Sequence, residues 1–179
     1  MHHLQETPMT LDLSAHKAAL EGYFRALPGV VLAYLFGSYA RGQAGPLSDV
    51  DVAVLLADAP GDDHCFEMRL EIIGGLMDTL HFNDVDVLIL NQAPPALRYR
   101  VLRGGLLLFC ADEQTRIEFT ARTVSEYLDL KPMIERHQRA ILERAAKGEL
   151  LHGYNPHRGA LERYRRTRER LKGASKPHF

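Results

Sequence analysis

The chain has 179 residues, of which 22 are lysine or arginine, 23 are aspartate or glutamate and 46% are hydrophobic. This length fits one domain with room for a helical extension, and the apolar content is sufficient for a core. The near-zero net charge argues against direct nucleic-acid binding through bulk electrostatic attraction. No apolar run approaches the roughly 20 residues of a membrane span, and the amino terminus lacks the apolar region of a signal peptide. We therefore expect a cytoplasmic protein with two buried thiols, Cys65 and Cys110, a disulfide being the minor alternative.

The first predicted elements are a helix and two strands. Ser14 is a suitable N-cap for a helix that runs to about Leu27. Residues 30–36 are rich in Val, Tyr and Phe and predict a strand. A second strand is predicted over residues 49–56.

A Gly-Ser pair and two aspartates lie at the ends of these two strands. Gly37-Ser38 predicts a tight turn that opens a short helix, whose free N–H groups, together with the serine hydroxyl, suit phosphate oxygens. Ten residues later come Asp49 and Asp51, which lie on one face if both belong to the strand. Two carboxylates that face one spot repel each other unless a cation lies between them, and Mg²⁺ prefers such oxygen ligands. The stretch therefore predicts a metal-dependent nucleotide site.

A third carboxylate is available in the strand-like run over residues 83–90. This run carries Asp84 and Asp86 on one face. We favour Asp86 as the third member of a triad because β-branched residues flank it on both sides, whereas Asp84 is expected at the strand entrance.

A long helix is predicted between the second and third strands. Asp62 or Asp63 is expected to cap it, and it should end near residue 80. The apolar stripe predicted to enter the core consists of Phe66, Leu70, Ile73, Met77 and Leu80. A short helix over residues 96–103 and a last strand over 106–109 follow. The fold class is thus α/β (α+β), a mixed sheet flanked by helices.

The remainder of the chain is predicted to be helical. One stripe comprises Ile117, Ala121, Val124 and Leu128, and another comprises Leu130, Ile134, Ile141 and Ala145. Because Pro132 marks a break or a kink, we expect either a helical pair or one bent helix. This segment covers the nucleotide, packs on the sheet or presents a partner surface, and the pattern leaves all three roles open.

Three segments follow from this organisation. Residues 11–110 form the sheet domain, residues 111–147 a helical segment, and residues 148–179 a basic tail. Within the tail, residues 161–171 are a candidate basic helix, which is either solvated, a docking site for an acidic partner protein or, less favoured, an RNA contact.

The spacing of Gly37-Ser38 and Asp49-Val50-Asp51 resembles that of the minimal nucleotidyltransferases, which have the polymerase-β-like nucleotidyltransferase fold. The resemblance extends over roughly residues 14–146. It implies transfer of a nucleoside monophosphate from a nucleoside triphosphate to an acceptor hydroxyl, with release of pyrophosphate. It further implies that Asp49 and Asp51 hold two Mg²⁺ ions.

The same resemblance implies that Asp86 ligates the second ion and takes the proton of the acceptor hydroxyl. Gly37 and Ser38 would hold the β- and γ-phosphates. Two further residues have open roles: Arg41 contacts the triphosphate or forms a surface ion pair, and Ser48 caps the turn or contacts the nucleotide.

Short chains of this kind are similar to the antitoxins of HEPN/MNT toxin–antitoxin systems. This resemblance implies transfer of AMP from ATP to a tyrosine of a cognate HEPN ribonuclease toxin. One alternative is a small-molecule nucleotidyltransferase of the aminoglycoside type, for which Glu118, Glu126 and Glu135 are candidate acidic-pocket residues. The other is an antitoxin that binds its partner without catalysis.

Overall fold

The structure, a computed structural model, describes residues 13–148. Its elements in chain order are α1 (Leu13–Ala26), β1 (Val30–Phe36), α2 (Gly37–Ala40), β2 (Val50–Leu56), α3 (Asp62–Leu80), β3 (Val85–Ile89), α4 (Pro95–Gly104), β4 (Leu106–Cys110) and α5 (Glu113–Ala146). These residues fall into two compact units that divide between Leu130 and Lys131. The first unit contains the sheet and everything described below unless stated otherwise.

The sheet is mixed, as the sequence predicted. Its four strands lie in the order β3-β2-β1-β4. β1 pairs antiparallel with both β2 and β4, whereas β2 and β3 run parallel. β3 and β4 are therefore the edge strands, and β1 and β2 form the buried centre.

Helices cover both faces of this sheet. On one face, α1 and α3 contribute Phe24, Ile72 and Leu76 to a core that includes Val52 and Val54 of β2. On the other face, Val101 of α4 and Phe119 of α5 pack with Ala53 and Leu55. Side chains alternate between the two faces along a strand, so both faces of β2 are apolar over most of its length.

The predicted stripe of α3 is wrong at Phe66 and Leu70, whereas Leu80 is buried as predicted and Ile73 and Met77 are partly buried. Phe66 and Leu70 are 62% and 53% exposed. The buried residues of this helix are Cys65, Met68, Ile72, Leu76 and Leu80. Both sets recur at helical spacing, and the packing against the sheet selects the second one.

The first predicted stripe of the following helix is not the face that this helix buries in the first unit. Ile117 and Leu128 are exposed, whereas Phe119 and Thr123 are the buried residues of α5. Pro132 lies inside α5 and does not divide it into a pair of helices. The continuity of one helix is therefore confirmed, and its bend stays a prediction. In the second unit, Met133, Ile141 and Leu142 are exposed.

One predicted helix cap is not found, and another stays a prediction. The described part of α1 starts at Leu13, and the predicted cap at Ser14 lies where the side chains are not described. α3 has Gly61 as its N-cap and holds Asp62 and Asp63 in its first turn, where carboxylates favour the positive end of the helix dipole. A cap that the residue pattern did not single out is Asp112, whose carboxylate accepts a hydrogen bond of 2.8 Å from the Thr115 N–H at the start of α5.

Both cysteines are free thiols. Cys65 is buried as predicted, whereas Cys110 is only partly buried. None of the helices within residues 13–148 is long and apolar enough to cross a bilayer. The basic tail predicted over residues 148–179 lies outside the described residues from residue 149 onwards, and its role stays a prediction, as do the three segment boundaries.

Candidate active site

The first part of the site is a close contact between Gly37 and Asp51. In the antiparallel pair of β1 and β2, Phe36 is the register partner of Asp51, so Gly37 follows directly at the end of β1. Gly37 has a φ of +73°, a conformation that favours glycine. A Cβ atom at this position would lie 1.9 Å from Oδ2 of Asp51. Glycine is therefore required both for the backbone turn and for the space that the carboxylate occupies.

The second part of the site is the parallel pairing of β2 with β3. Asp51 and Asp86 are register partners and therefore neighbours across the two strands. By strand alternation Asp51 lies on the same face as Ala53 and Leu55, which is the face that α4 and α5 cover. Asp49 precedes β2 by one residue and is exposed.

Asp84 occupies a different position. It precedes β3, is exposed, and its backbone carbonyl accepts a 2.8 Å hydrogen bond from the N–H of Val50. The backbone of Asp84 thus extends the pairing of the two strands. Only Asp86 lies inside β3, directly beside Asp51.

The negative charges of the other two aspartates affect the pKa of the Asp51 carboxyl group. Burial raises the pKa of Asp51 most, and the negative charges of Asp86 and then Asp49 raise this pKa further, while the Arg41 guanidinium acts in the opposite direction. The three aspartates and Arg41 therefore lie within electrostatic reach of one point. The pairing that brings Asp86 beside Asp51 is the one on which the predicted triad depended, and the roles of the three aspartates stay predictions.

Asp86 has a partner that the sequence analysis missed. Nη2 of Arg69, on α3, lies 2.8 Å from Oδ1 of Asp86. The N–H of Val87 donates to the same oxygen at 2.9 Å. No spacing rule connects a helix arginine to a strand aspartate 17 residues later, and the sequence held no signal for this pair.

The remaining candidates are Ser38, Arg41 and Ser48. Ser38 lies in the four-residue helix α2, and its carbonyl accepts hydrogen bonds from the N–H groups of Arg41 and Gln43. Arg41 is exposed, and its Nε donates to the Gln43 side chain at 3.3 Å. Oγ of Ser48 accepts a 2.9 Å hydrogen bond from the N–H of Gly45, whose carbonyl accepts from the Ser48 N–H at 3.0 Å. Ser48 thus closes the turn before Asp49, which is its predicted structural role.

The donor set fits a divalent cation. Among residues 13–148, no group of three or more His, Cys, Asp or Glu side chains has the spacing of a ready-made metal site. The chemistry of the residues nevertheless suits Mg²⁺, because the negative charges of Asp86 and Asp49 act, after burial, to raise the pKa of Asp51. Hard oxygen ligands of this kind are those that Mg²⁺ prefers, and a cation between them relieves the repulsion.

A glycine turn packed against paired strand aspartates defines a class of proteins, the nucleotidyltransferases. The family described as polymerase beta, nucleotidyltransferase, matches residues 19–114. The chain belongs to this polymerase-β nucleotidyltransferase family.

The individual relatives are adenylyltransferases and antitoxins. The chain is 31% identical to the protein adenylyltransferase MntA of Shewanella oneidensis over 105 residues, which is 59% of this chain and 71% of the relative. A crystal structure of a toxin–antitoxin with AMP-PNP matches with a TM-score of 0.59 and 29% identity, covering 70% of this chain and 98% of the other. The complex of the tri-AMPylated HEPN toxin of Shewanella oneidensis with its MNT antitoxin matches with a TM-score of 0.57 and 26% identity, covering 73% of this chain and 99% of the other. These matches confirm the predicted fold family.

Proposed function

We propose that this protein is a protein adenylyltransferase that transfers AMP from ATP to a tyrosine hydroxyl of a cognate HEPN ribonuclease toxin and so acts as its antitoxin. The observation that carries the proposal is the packing of Gly37 against Asp51, with Asp86 beside it. The similarity to MntA and to the complex with an AMPylated HEPN toxin supports AMP as the transferred group and a protein as the acceptor. The two free thiols suit a reducing compartment, and we place the reaction in the cytoplasm.

Nucleotide binding is assigned to the turn after β1. Gly37 and Ser38 open the short helix α2, whose first backbone N–H groups lack partners within the helix and can donate to phosphate oxygens. We assign the β- and γ-phosphates to these two residues. Arg41 lies close enough to Asp51 to lower its pKa, and its exposed guanidinium is available to neutralise phosphate charge. Ser48 contributes by holding the turn, and its hydroxyl proton remains available to the nucleotide.

The three carboxylates are assigned to metal binding and proton transfer. Asp49, Asp51 and Asp86 would hold Mg²⁺, with two ions expected. When bound, Mg²⁺ neutralises triphosphate charge and lowers the pKa of the acceptor hydroxyl. Asp86 accepts the proton of that hydroxyl. The acceptor oxygen then bonds to the α-phosphorus as the bond to the pyrophosphate oxygen breaks, a step that requires positioning and charge neutralisation more than covalent chemistry by the protein.

Label transfer tests this proposal. Purified protein, Mg²⁺ and ATP labelled at the α-phosphate are added to a lysate of the host that contains the cognate toxin, and the Asp49→Ala/Asp51→Ala variant is the control. We expect label on one protein band, absent with the variant. Parallel reactions contain aminoglycosides and the other nucleoside triphosphates. Label on an aminoglycoside, with none on protein, would contradict the proposal and favour a small-molecule acceptor.

The aminoglycoside alternative has no specific observation in its favour. The glutamates considered for an acidic pocket each already have a partner: Glu118 accepts from Gln114 at 2.7 Å, Glu126 lies 2.8 Å from the 15% exposed Arg98 of α4, and Glu135 lies 3.8 Å from Lys131.

The binding-only antitoxin differs from the proposed enzyme in one measurement. Growth rescue from the toxin is compared between the wild type and Asp49→Ala. Full rescue by Asp49→Ala would show that binding is sufficient, whereas loss of rescue in a variant that still binds the toxin supports catalysis.

A further inference from the structure

Asp86 is held through one of its two carboxylate oxygens. Nη2 of Arg69 and the N–H of Val87 both contact Oδ1, at 2.8 and 2.9 Å. Within residues 13–148, Oδ2 has no hydrogen-bond partner. The two contacts therefore fix one oxygen and leave the other for a ligand.

Arg69 reaches Asp86 from the opposite face of the sheet. α3 packs on the face that contains Val52 and Val54, whereas Asp86 shares a face with its register partner Asp51. Because β3 is an edge strand, a long arginine side chain can extend past it. Arg69 and Asp86 border a cavity of about 200 Å³ at this edge.

This ion pair contributes little to the stability of the fold. The side chains of Arg69 and Asp86 are 47% and 57% exposed, and exposed ion pairs are weak because water screens them. An unrestrained Asp86 side chain at an open edge would sample several rotamers. The consequence of the pair is thus the orientation of the carboxylate.

We infer that Arg69 is a positioning residue, which orients Asp86 so that its free oxygen serves the metal and the acceptor hydroxyl. This inference rests on the role that the proposed function gives to Asp86. Partners that orient a ligating carboxylate typically change metal affinity or activity about 10–100-fold when they are removed. For a half-exposed pair, which water screens, we expect a smaller effect than that range, about 3- to 10-fold.

The test compares Arg69→Met, Arg69→Lys and Arg25→Met in the full-length protein. Arg25 forms a similar exposed ion pair, 2.6 Å from Glu21, and lies on α1, so it is the matched control. Mn²⁺ is titrated calorimetrically in the presence of a non-hydrolysable ATP analogue, and label transfer gives kcat and the KM for ATP. Arg69→Met should bind Mn²⁺ about 3- to 10-fold more weakly and lose kcat by a similar factor, with its KM for ATP and thermal midpoint close to those of Arg25→Met. Arg69→Lys keeps the positive charge and should recover part of both losses.

Two results would overturn the inference. Wild-type or tighter Mn²⁺ binding by Arg69→Met would mean that Arg69 does not orient the ligand or competes with the ion. Wild-type Mn²⁺ affinity in Asp86→Asn would show that Asp86 does not ligate the metal. Arg69 would then have no metal ligand to orient. The titration requires no acceptor, so a failure of the proposed acceptor, seen as absent protein labelling by the wild type, is distinguishable from a failure of this inference.

Discussion

The exchange of Gly37 for alanine perturbs the contact on which the site depends. The new methyl carbon would lie 1.9 Å from Oδ2 and 2.8 Å from Cγ of Asp51, whereas real Cβ contacts are essentially never closer than 3.0 Å. The carboxylate must therefore move by about 1 Å. Because a displacement of that size can cost about 100-fold in rate, we expect kcat/KM for label transfer to fall by about two orders of magnitude.

Backbone strain adds a separate and smaller effect. Gly37 has a φ of +73°, and a non-glycine residue in the left-handed region costs about 1–2 kcal/mol. In a protein of this size, that cost lowers the thermal midpoint by roughly 2–8 °C. Gly29 is the matched control because its φ is +83° and nothing lies within 4 Å of its Cβ position. Gly29→Ala should lose similar stability and keep its activity within about twofold.

Steady-state label transfer and thermal melts on both variants separate these two effects. If Gly37→Ala is as active as Gly29→Ala at equal stability, the Asp51 carboxylate is not required at the position that the structure gives it, and the reasoning fails.

The other predictions concern packing, the third carboxylate and the metal. In denaturant titrations, Leu76→Ala should lower the free energy of unfolding by about 2–5 kcal/mol, because Leu76 is fully buried. Leu70→Ala, at a 53% exposed position of the same helix, should change this free energy by less than about 0.5 kcal/mol. Equal losses would contradict the burial of α3. Asp86→Asn should reduce label transfer at least about 100-fold, as removal of a metal ligand requires, while Asp84→Asn stays within about threefold; the reverse order would exchange their roles. Chelation with EDTA should abolish label transfer and added Mg²⁺ should restore it, and transfer that persists after chelation would exclude a metal-dependent step.

Local spacing indicated that Gly37 and Asp51 lie close together, whereas the position of Asp86 also depended on the pairing of its strand. Gly37 and Asp51 come together because each lies at the end of one strand of an antiparallel pair, and the connection between them is short. Asp86 lies beside Asp51 because β3 pairs parallel with β2 and the two aspartates are register partners. Each of these contacts depends on strand ends, which glycine and aspartate mark in a sequence.

The face that α3 buries was not predictable from local spacing. The predicted stripe through Phe66 and Leu70 and the buried one through Ile72 and Leu76 both follow helical periodicity, and they differ by about one residue, or 100° around the helix axis. Only contacts with the sheet and α1 distinguish them. The bond from Arg69 to Asp86 was missed for a related reason, since it joins a helix to a strand around the edge of the sheet.

Pro132 shows a different limit of sequence reasoning. Proline removes one backbone N–H and crowds the preceding turn, which predicts a break or a kink. α5 nevertheless continues from Glu113 to Ala146 through this residue. A single missing hydrogen bond is a local cost that the remaining turns of a 34-residue helix can offset.

The central claim is that the Asp49, Asp51 and Asp86 cluster transfers AMP to a partner protein. The most direct measurement is the intact mass of the cognate HEPN toxin after co-expression with the wild type or with Asp49→Asn/Asp51→Asn, followed by peptide mapping. The account predicts toxin that is heavier by one or more AMP units on tyrosine with the wild type, and unmodified toxin with the variant. Unmodified toxin in both cases, with the toxin bound and silenced by both proteins, would contradict a catalytic antitoxin.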